Sequence, residues 1–187
     1  MTLLWSYNHA PGAAANPPGS WPSESRVQLA AGQHTLIMLA HPKCPCTRAS
    51  VEELSKLMTY GQGRLRAYVL FVKPPDYSEA WSNTDLWLSA ASIPGVTVLI
   101  DKGGVEANRF GASTSGQVLL YDQNGTLQFR GGITESRGHS GDNAGRFAVE
   151  ALLSGGVPTR NQTPVFGCPL FDPDSECRRP NHATPSN

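Results

Sequence analysis

The sequence predicts an α/β fold, a central mixed sheet flanked by helices, with irregular extensions at both ends. Three observations point there. Residues 35–40 (TLIMLA) form an unbroken apolar run suited to a strand covered on both faces, helical and strand patterns alternate after it, and an Asn-Gly turn marks a hairpin further on. At 187 residues the chain can bury one sizeable core and is read as one domain.

Residues 1–33 hold Pro17, Pro18 and Pro22 among several glycines, with Trp5, Tyr7 and Trp21 scattered between them. Such a stretch wraps a domain without forming its centre. Residues 35–40 then read as the central strand. The loop His41-Pro42-Lys43-Cys44-Pro45-Cys46 follows, and behind it Val51, Leu54, Leu57 and Met58 recur at helical spacing. Ser50 with Glu53 fits a capping box for this helix, and Thr47 fits a cap one turn earlier. Gly61 and Gly63 end the helix, and residues 65–72 read as a second strand stopped by Pro74-Pro75.

Residues 78–91 read as an amphipathic helix with Trp81, Leu88 and Ala91 on one stripe, and 97–100 as a third strand. Residues 117–121 and 126–130 form the hairpin around Asn124-Gly125. Asp142 caps a final helix that runs through Leu153 and closes at Gly155-Gly156. The folded domain is thus expected over 34–156, between an irregular extension or tether, 1–33, and an irregular Cys-containing tail, 157–187, disordered past residue 178.

Fifteen basic and fifteen acidic residues cancel, and no run of Lys or Arg offers a surface for nucleic acid or an anionic membrane. The opening MTLLWSYNHAPGAAANPPGS lacks the charged start and long apolar run of a signal peptide or a membrane span. Its Pro/Gly/Ala-rich character is that of a tether, so an N-terminal membrane anchor missing from this chain is one expectation. Four cysteines, two of them in a loop-rich tail, favour an oxidising compartment.

In an α/β sheet the working site lies at the carboxyl end of a strand, where the next helix begins, and residues 41–46 occupy that position. Unpaired backbone N–H groups at a helix start stabilise a thiolate over a thiol, and Lys43 and Arg48 are expected to push the same way. The thiolate attacks a disulfide, and a second thiol then closes on the mixed species and releases the product. Cys44 and Cys46 are therefore the expected catalytic pair, acting on protein thiols or disulfides without a cofactor. One residue between the sulfurs forces a small, strained disulfide ring, which predicts an easily reduced bond.

Soft thiolates at Cys44 and Cys46, with His41 or Cys168, are also the ligand types that hold Cu(I) or Zn(II), so a metal-binding module is an alternative. Cys168 either resolves a disulfide with the loop pair or bonds Cys177, closing a short loop worth about 2 to 3 kcal/mol. Sequence proximity favours the second. Ser136-Arg137-Gly138-His139-Ser140-Gly141-Asp142-Asn143 has the make-up of an anion-binding turn at a helix start, although such a run is more often a capped loop.

At HPKCPCTRASVEEL the sequence resembles thioredoxin-superfamily proteins, specifically the bacterial thioredoxin-like group labelled RedB. The likeness continues through WSYNHAPG, GQVLLYDQNG, FRGGITESRGHSGDNAG and TPVFGCPLF, and so covers most of the chain. It implies a thioredoxin-like fold, disulfide exchange, and a periplasmic or other extracytoplasmic bacterial location behind an N-terminal anchor.

Two departures from the family pattern stand out. Against CxxC, Pro45-Cys46 matches the last two positions and Lys43 stands where the first Cys belongs, leaving Cys44 at the next position. Cys44 is expected to attack, as the less buried sulfur. Thioredoxin-like proteins also carry a cis proline facing the active cysteines, where peptide substrates dock; the matching stretch here, Ser113-Thr114-Ser115-Gly116-Gln117, has none. Gly116 can adopt the unusual dihedrals that a similar loop shape needs. His41, Lys43, Pro45, Thr47, Ser115 and Gly116 are thus expected to support the cysteine pair. A scaffold that has lost turnover and serves protein interaction is a further alternative, suggested by the missing proline. Peroxide reduction, prompted by Cys46-Thr47, is a weaker variant of the enzyme reading.

Overall fold

A computed structural model describes residues 8–81 and 83–172. Five strands form one sheet in the order β3-β2-β1-β4-β5: β1 is His34–Ala40, β2 Leu65–Lys73, β3 Val96–Lys102, β4 Gln117–Tyr121 and β5 Leu127–Gly131. β1, β2 and β3 run parallel, and β4 pairs antiparallel with both β1 and β5. The helices are α1 Thr47–Tyr60, α2 Asp85–Ala91, α3 Val105–Arg109 and α4 Ala144–Leu153, with one 3-10 turn at Glu79–Trp81.

The unalternating apolar run is explained by burial on both faces of the sheet. Successive strand side chains point to opposite faces. Leu36, Met38 and Ala40 meet Leu54 and Leu57 of α1 and Val149 and Leu153 of α4, whereas Ile37 and Leu39 meet Phe110, Tyr121 and Val27 on the other side. Each such aliphatic side chain fully withdrawn from water is worth about 1.5 to 3 kcal/mol.

The two extensions close the second face and the β5 edge. Trp21 packs edge-on against Phe110 and Tyr121, with ring centroids 5.3 and 5.2 Å away. At the other end of the chain, Arg130 N–H donates to the Asn161 carbonyl (3.0 Å) and Thr163 N–H to the Arg130 carbonyl (3.2 Å), so the segment after α4 returns along β5.

Several boundaries differ from the sequence expectation. The helix expected over 78–91 is broken: Thr84 is extended and caps α2, its side chain accepting from Trp87 N–H at 3.3 Å. Trp81 belongs to the preceding 3-10 turn, and the buried face of α2 is Leu86 and Ala90, with Leu88 63% exposed. Asn143, not Asp142, caps α4 by accepting from Arg146 N–H (2.8 Å), while Asp142 pairs with the Arg146 guanidinium. α1 starts at Thr47 with no side-chain cap, and the Ser50–Glu53 box does not form, because both side chains are turned into the protein. α3 is too short to show a helical period; the buried Asp101 carboxylate fixes its start, accepting from Glu106 and Ala107 N–H at 2.9 and 2.8 Å.

Candidate active site

Antiparallel pairing of β4 with β1 decides what faces the cysteine loop. Leu39 registers with Gln117, so the carboxyl end of β1 and the amino end of β4 lie side by side at one end of the sheet. Residues 41–46 leave β1 there and Ser115-Gly116 arrive beside them. Two tight turns, Cys44 N–H to the His41 carbonyl (3.1 Å) and Thr47 N–H to the Cys44 carbonyl (3.2 Å), coil the loop into α1. Pro45 is exposed and falls where the incipient helix has no use for an N–H.

Ser115 joins the two chain crossings. Its fully buried hydroxyl accepts from His41 N–H at 2.7 Å and lies 2.6 Å from the Thr47 hydroxyl. Gly116 N–H donates to the Leu39 carbonyl at 2.8 Å. Gly116 has φ 87°, and a Cβ there would lie 2.9 Å from Ser50 Oγ, so backbone conformation and space both require glycine. No peptide bond among the described residues is cis.

Cys44 and Cys46 are thiols, and they form one buried cluster with Cys168. The Sγ atoms of Cys44 and Cys168 are 3.0 Å apart. Cys44 is 1% exposed and Cys46 7%, which reverses the expectation that Cys44 is the less buried sulfur. The reason is the chain segment around Cys168, which lies over it. Cys168 itself is disulfide-bonded. Its expected partner, Cys177, and the tail past residue 178 lie outside the described residues.

Charge separates the loop sulfurs where exposure does not. A hydrogen bond from the Cys46 thiol draws the Cys44 pKa down to about 5 against the opposing effect of burial, helped by the Thr47 hydroxyl and the backbone N–H groups of Cys168 and Thr47. The Cys46 pKa moves up, because its proton is held by the Cys44 sulfur, burial disfavours its charge, and a Cys44 thiolate repels a second one; Arg137 opposes this. These opposed shifts favour a thiolate on Cys44 with the shared proton kept on Cys46.

The cations near the loop are arranged differently from expectation. Lys43 Nζ sits 3.6 Å over the Trp81 ring and Arg48 pairs with Asp85 at 2.5 Å, while the guanidinium that acts on the Cys46 sulfur is Arg137. The buried His41 ring meets Trp81 edge-on at 5.8 Å, and its Nδ1 accepts from Lys43 N–H at 3.2 Å. Burial first, and then the Lys43 charge, lower its pKa and keep it neutral.

The segment over the cysteines is held like an added strand. Ser115 N–H donates to the Cys168 carbonyl (2.8 Å) and Leu170 N–H to the Ser113 carbonyl (3.0 Å), framing an antiparallel bridge between Thr114 and Pro169. Arg137 Nη1 donates to the Gly167 carbonyl at 2.8 Å. A Cβ on residue 167 would lie 1.9 Å from the Ser115 carbonyl oxygen, so only glycine admits this approach. Arg137 and Gly167 escape a reading from sequence. Their one signal is position, within an Arg-containing turn and directly before a cysteine.

No protein-family model matches the chain, and no curated protein matches its sequence. Among solved structures, an uncharacterized conserved protein from Geobacillus kaustophilus superposes with TM-score 0.62 at 20% identity, over 87% of this chain and 92% of that one. A hypothetical protein from Sinorhizobium meliloti 1021 gives TM-score 0.61 at 20% identity, over 87% and 94%. A putative thioredoxin from Neisseria meningitidis gives 0.45 at 17% identity, over 70% and 80%. The strand order β3-β2-β1-β4-β5, with helices packed on both faces of the mixed sheet, is itself that of a thioredoxin-like α/β fold.

Within this thioredoxin-like fold the turn at 136–143 does bind an anion, and the anion is the protein's own. Glu53 of α1 is fully buried; its carboxylate accepts from Ser140 Oγ (2.7 Å) and Gly141 N–H (2.8 Å) and pairs with Arg146 (2.7 Å) and Lys56 (2.6 Å). Burial raises its pKa, but Lys56, Ser140 and Gly141 outweigh that and lower it. Among the described residues no three His, Cys, Asp or Glu side chains are grouped so as to hold a metal ion, and none of the helices is long and apolar enough to cross a membrane. The structure thus brings Cys44, Cys46, Thr47, Ser115, Gly116 and Cys168 together, and turns the His41 and Lys43 side chains to Trp81.

Proposed function

We propose that the chain is a thiol-disulfide oxidoreductase acting on protein thiols or disulfides through its Cys44-Pro45-Cys46 loop. What supports this reading is the placement of two thiols, Cys44 and Cys46, in one buried cluster between the carboxyl end of β1 and the start of α1, in surroundings that lower the Cys44 pKa and raise that of Cys46. The Cys44 thiolate attacks one sulfur of a partner disulfide; the partner's second sulfur leaves with the bonding pair as a thiolate. Forming the mixed disulfide removes the Cys44 charge and its acceptor role, which are two of the causes holding the proton on Cys46. With Arg137 now favouring the anion, Cys46 gives its proton to the partner thiolate released in the first step and attacks Cys44 Sγ, expelling the partner's other sulfur as a thiolate.

Thr47 supports the thiolate directly, and Ser115 and Gly116 position the loop that carries it. His41, buried against Trp81, and the exposed Lys43 and Pro45 shape the same loop. On this proposal the folded unit is 34–156 with its two extensions, the chain is RedB-like, and its location is periplasmic or otherwise extracytoplasmic in a bacterium. Cysteine usage and the quoted motifs support these assignments.

The test is a disulfide-exchange assay on Cys44→Ser and Cys46→Ser chains. Both substitutions are expected to abolish turnover, and activity surviving in both would end this reading.

A further inference from the structure

Cys168 is disulfide-bonded while the two loop cysteines are thiols, and the Cys44 sulfur stands 3.0 Å from the Cys168 sulfur. The backbone of the Cys168 segment is paired to residues 113–115 as an antiparallel strand, a common way to hold an extended peptide. We propose that residues 166–170 are a built-in disulfide substrate, and that the Cys168 disulfide exchanges with the loop pair inside one chain. The inference rests on the oxidoreductase reading above and names the first disulfide that site meets.

The sequence has four cysteines, which leaves Cys177 as the proposed partner of Cys168. In the first step a bond forms between Cys44 Sγ and Cys168 Sγ, the Cys168–Cys177 bond breaks, and its electron pair leaves on Cys177 as a thiolate. Cys177 then takes up the proton that Cys46 gives up. The Cys46 thiolate attacks Cys44 Sγ and expels Cys168 as a thiolate. The loop pair ends oxidised by two electrons and the tail pair reduced by two, with no outside oxidant, and every step is reversible. An electron pair delivered to either cysteine pair thus reaches the other through Cys44.

Three features favour exchange over a passive cover. Gly167 is required for the close approach to the Ser115 carbonyl, Arg137 grips the segment while acting on Cys46, and a backbone N–H of Cys168 helps to ionise the sulfur that would attack it.

The experiment uses the full chain with Cys46→Ser, which stops the sequence after its first step. Peptide mapping under non-reducing conditions after acid quench is expected to find a Cys44–Cys168 disulfide with Cys177 alkylatable, at least about tenfold above its level in a Cys44→Ser chain. A mapped Cys168–Cys177 bond that never gives way to Cys44–Cys168, in a chain whose Cys44 still attacks an aromatic disulfide in solution, overturns this inference and leaves the oxidoreductase reading standing. Failure of both reactions overturns both. A second measurement guards against a poorly folded variant: the wild-type chain, fully reduced and given one equivalent of diamide, is expected to show the Cys44–Cys46 and Cys168–Cys177 bonds in exchange. Oxidation confined to one pair would sink the proposal.

Discussion

Cys44 and Cys168 stand 124 residues apart in the chain, and their sulfurs stand 3.0 Å apart in the structure. Neither position is a matter of local sequence. The central strand β1 delivers the first to the end of the sheet, and the second arrives on a segment pinned to Ser113 and Ser115 ahead of β4. The cover over Cys44 follows from that meeting, and the Cys168 backbone N–H adds to the Cys46 and Thr47 hydrogen bonds in lowering the Cys44 pKa.

The Cys44 thiolate is expected to form near pH 5, not near the ordinary thiol value of 9.0. Thiolate absorbance of the reduced chain, with Cys44→Ser as the blank, measures it. The folded pKa is depressed, so ionisation stabilises the fold fully above the unfolded value, and the contribution is lost as pH falls towards about 5. The urea midpoint of wild type relative to Cys44→Ser should accordingly drop between about pH 9 and about pH 5. A gap flat across that range would contradict a depressed pKa.

Ser115→Ala removes the acceptor of the buried His41 N–H and the partner of the Thr47 hydroxyl. An orphaned buried donor costs about 1 to 3 kcal/mol, read as a shift in urea midpoint. Thr47→Val should instead raise the Cys44 pKa, because it deletes a hydrogen bond to that sulfur; an unchanged titration would remove Thr47 from the site.

Gly167→Ala puts a methyl group where the Ser115 carbonyl now sits, at 1.9 Å. The covering segment must move away, so alkylation of Cys44 at fixed pH should speed up at least about tenfold, as local opening replaces burial. Equal rates in wild type and variant would show that the segment does not guard the sulfur.

Glu53→Gln leaves Arg146 and Lys56 facing a neutral amide in a site built for a carboxylate. Breaking a buried ion pair that keeps some partners, here Glu150 and Asp142 for Arg146, is expected to cost about 2 to 4 kcal/mol. Because the Glu53 pKa is lowered on folding, its contribution exists above the ordinary carboxylate range and disappears as pH falls through the folded value. The gap in urea midpoint between wild type and Glu53→Gln should therefore be widest above the ordinary carboxylate range and close as pH falls through the folded value.

The one-residue spacing of the loop pair predicts a reduction potential above that of thioredoxin, about −270 mV. Equilibration with glutathione measures it, and a value at or below that figure would show that the short ring carries no strain.

The order of elements was legible because local pattern and burial agree in them. The run at 35–40 lacks alternation since both faces of β1 are covered, and Asn124-Gly125 turns the hairpin. Capping misled where two candidates were adjacent, as at Asp142 and Asn143, and where tertiary partners claimed the cap, as Arg146 claims Glu53. Trp81 and Leu88 fit one stripe on a helical wheel, but Thr84 breaks the helix between them.

By itself the sequence determined a strand, a Cys-Pro-Cys loop and a helix in succession, because propensity and spacing act over a few residues. Which sulfur ionises, what covers it and where Cys168 goes were decided only by tertiary structure. Those depend on Ser115, Arg137 and Gly167, brought to the loop by strand pairing across scores of residues, and burial and hydrogen bonding at that range leave no local pattern to read.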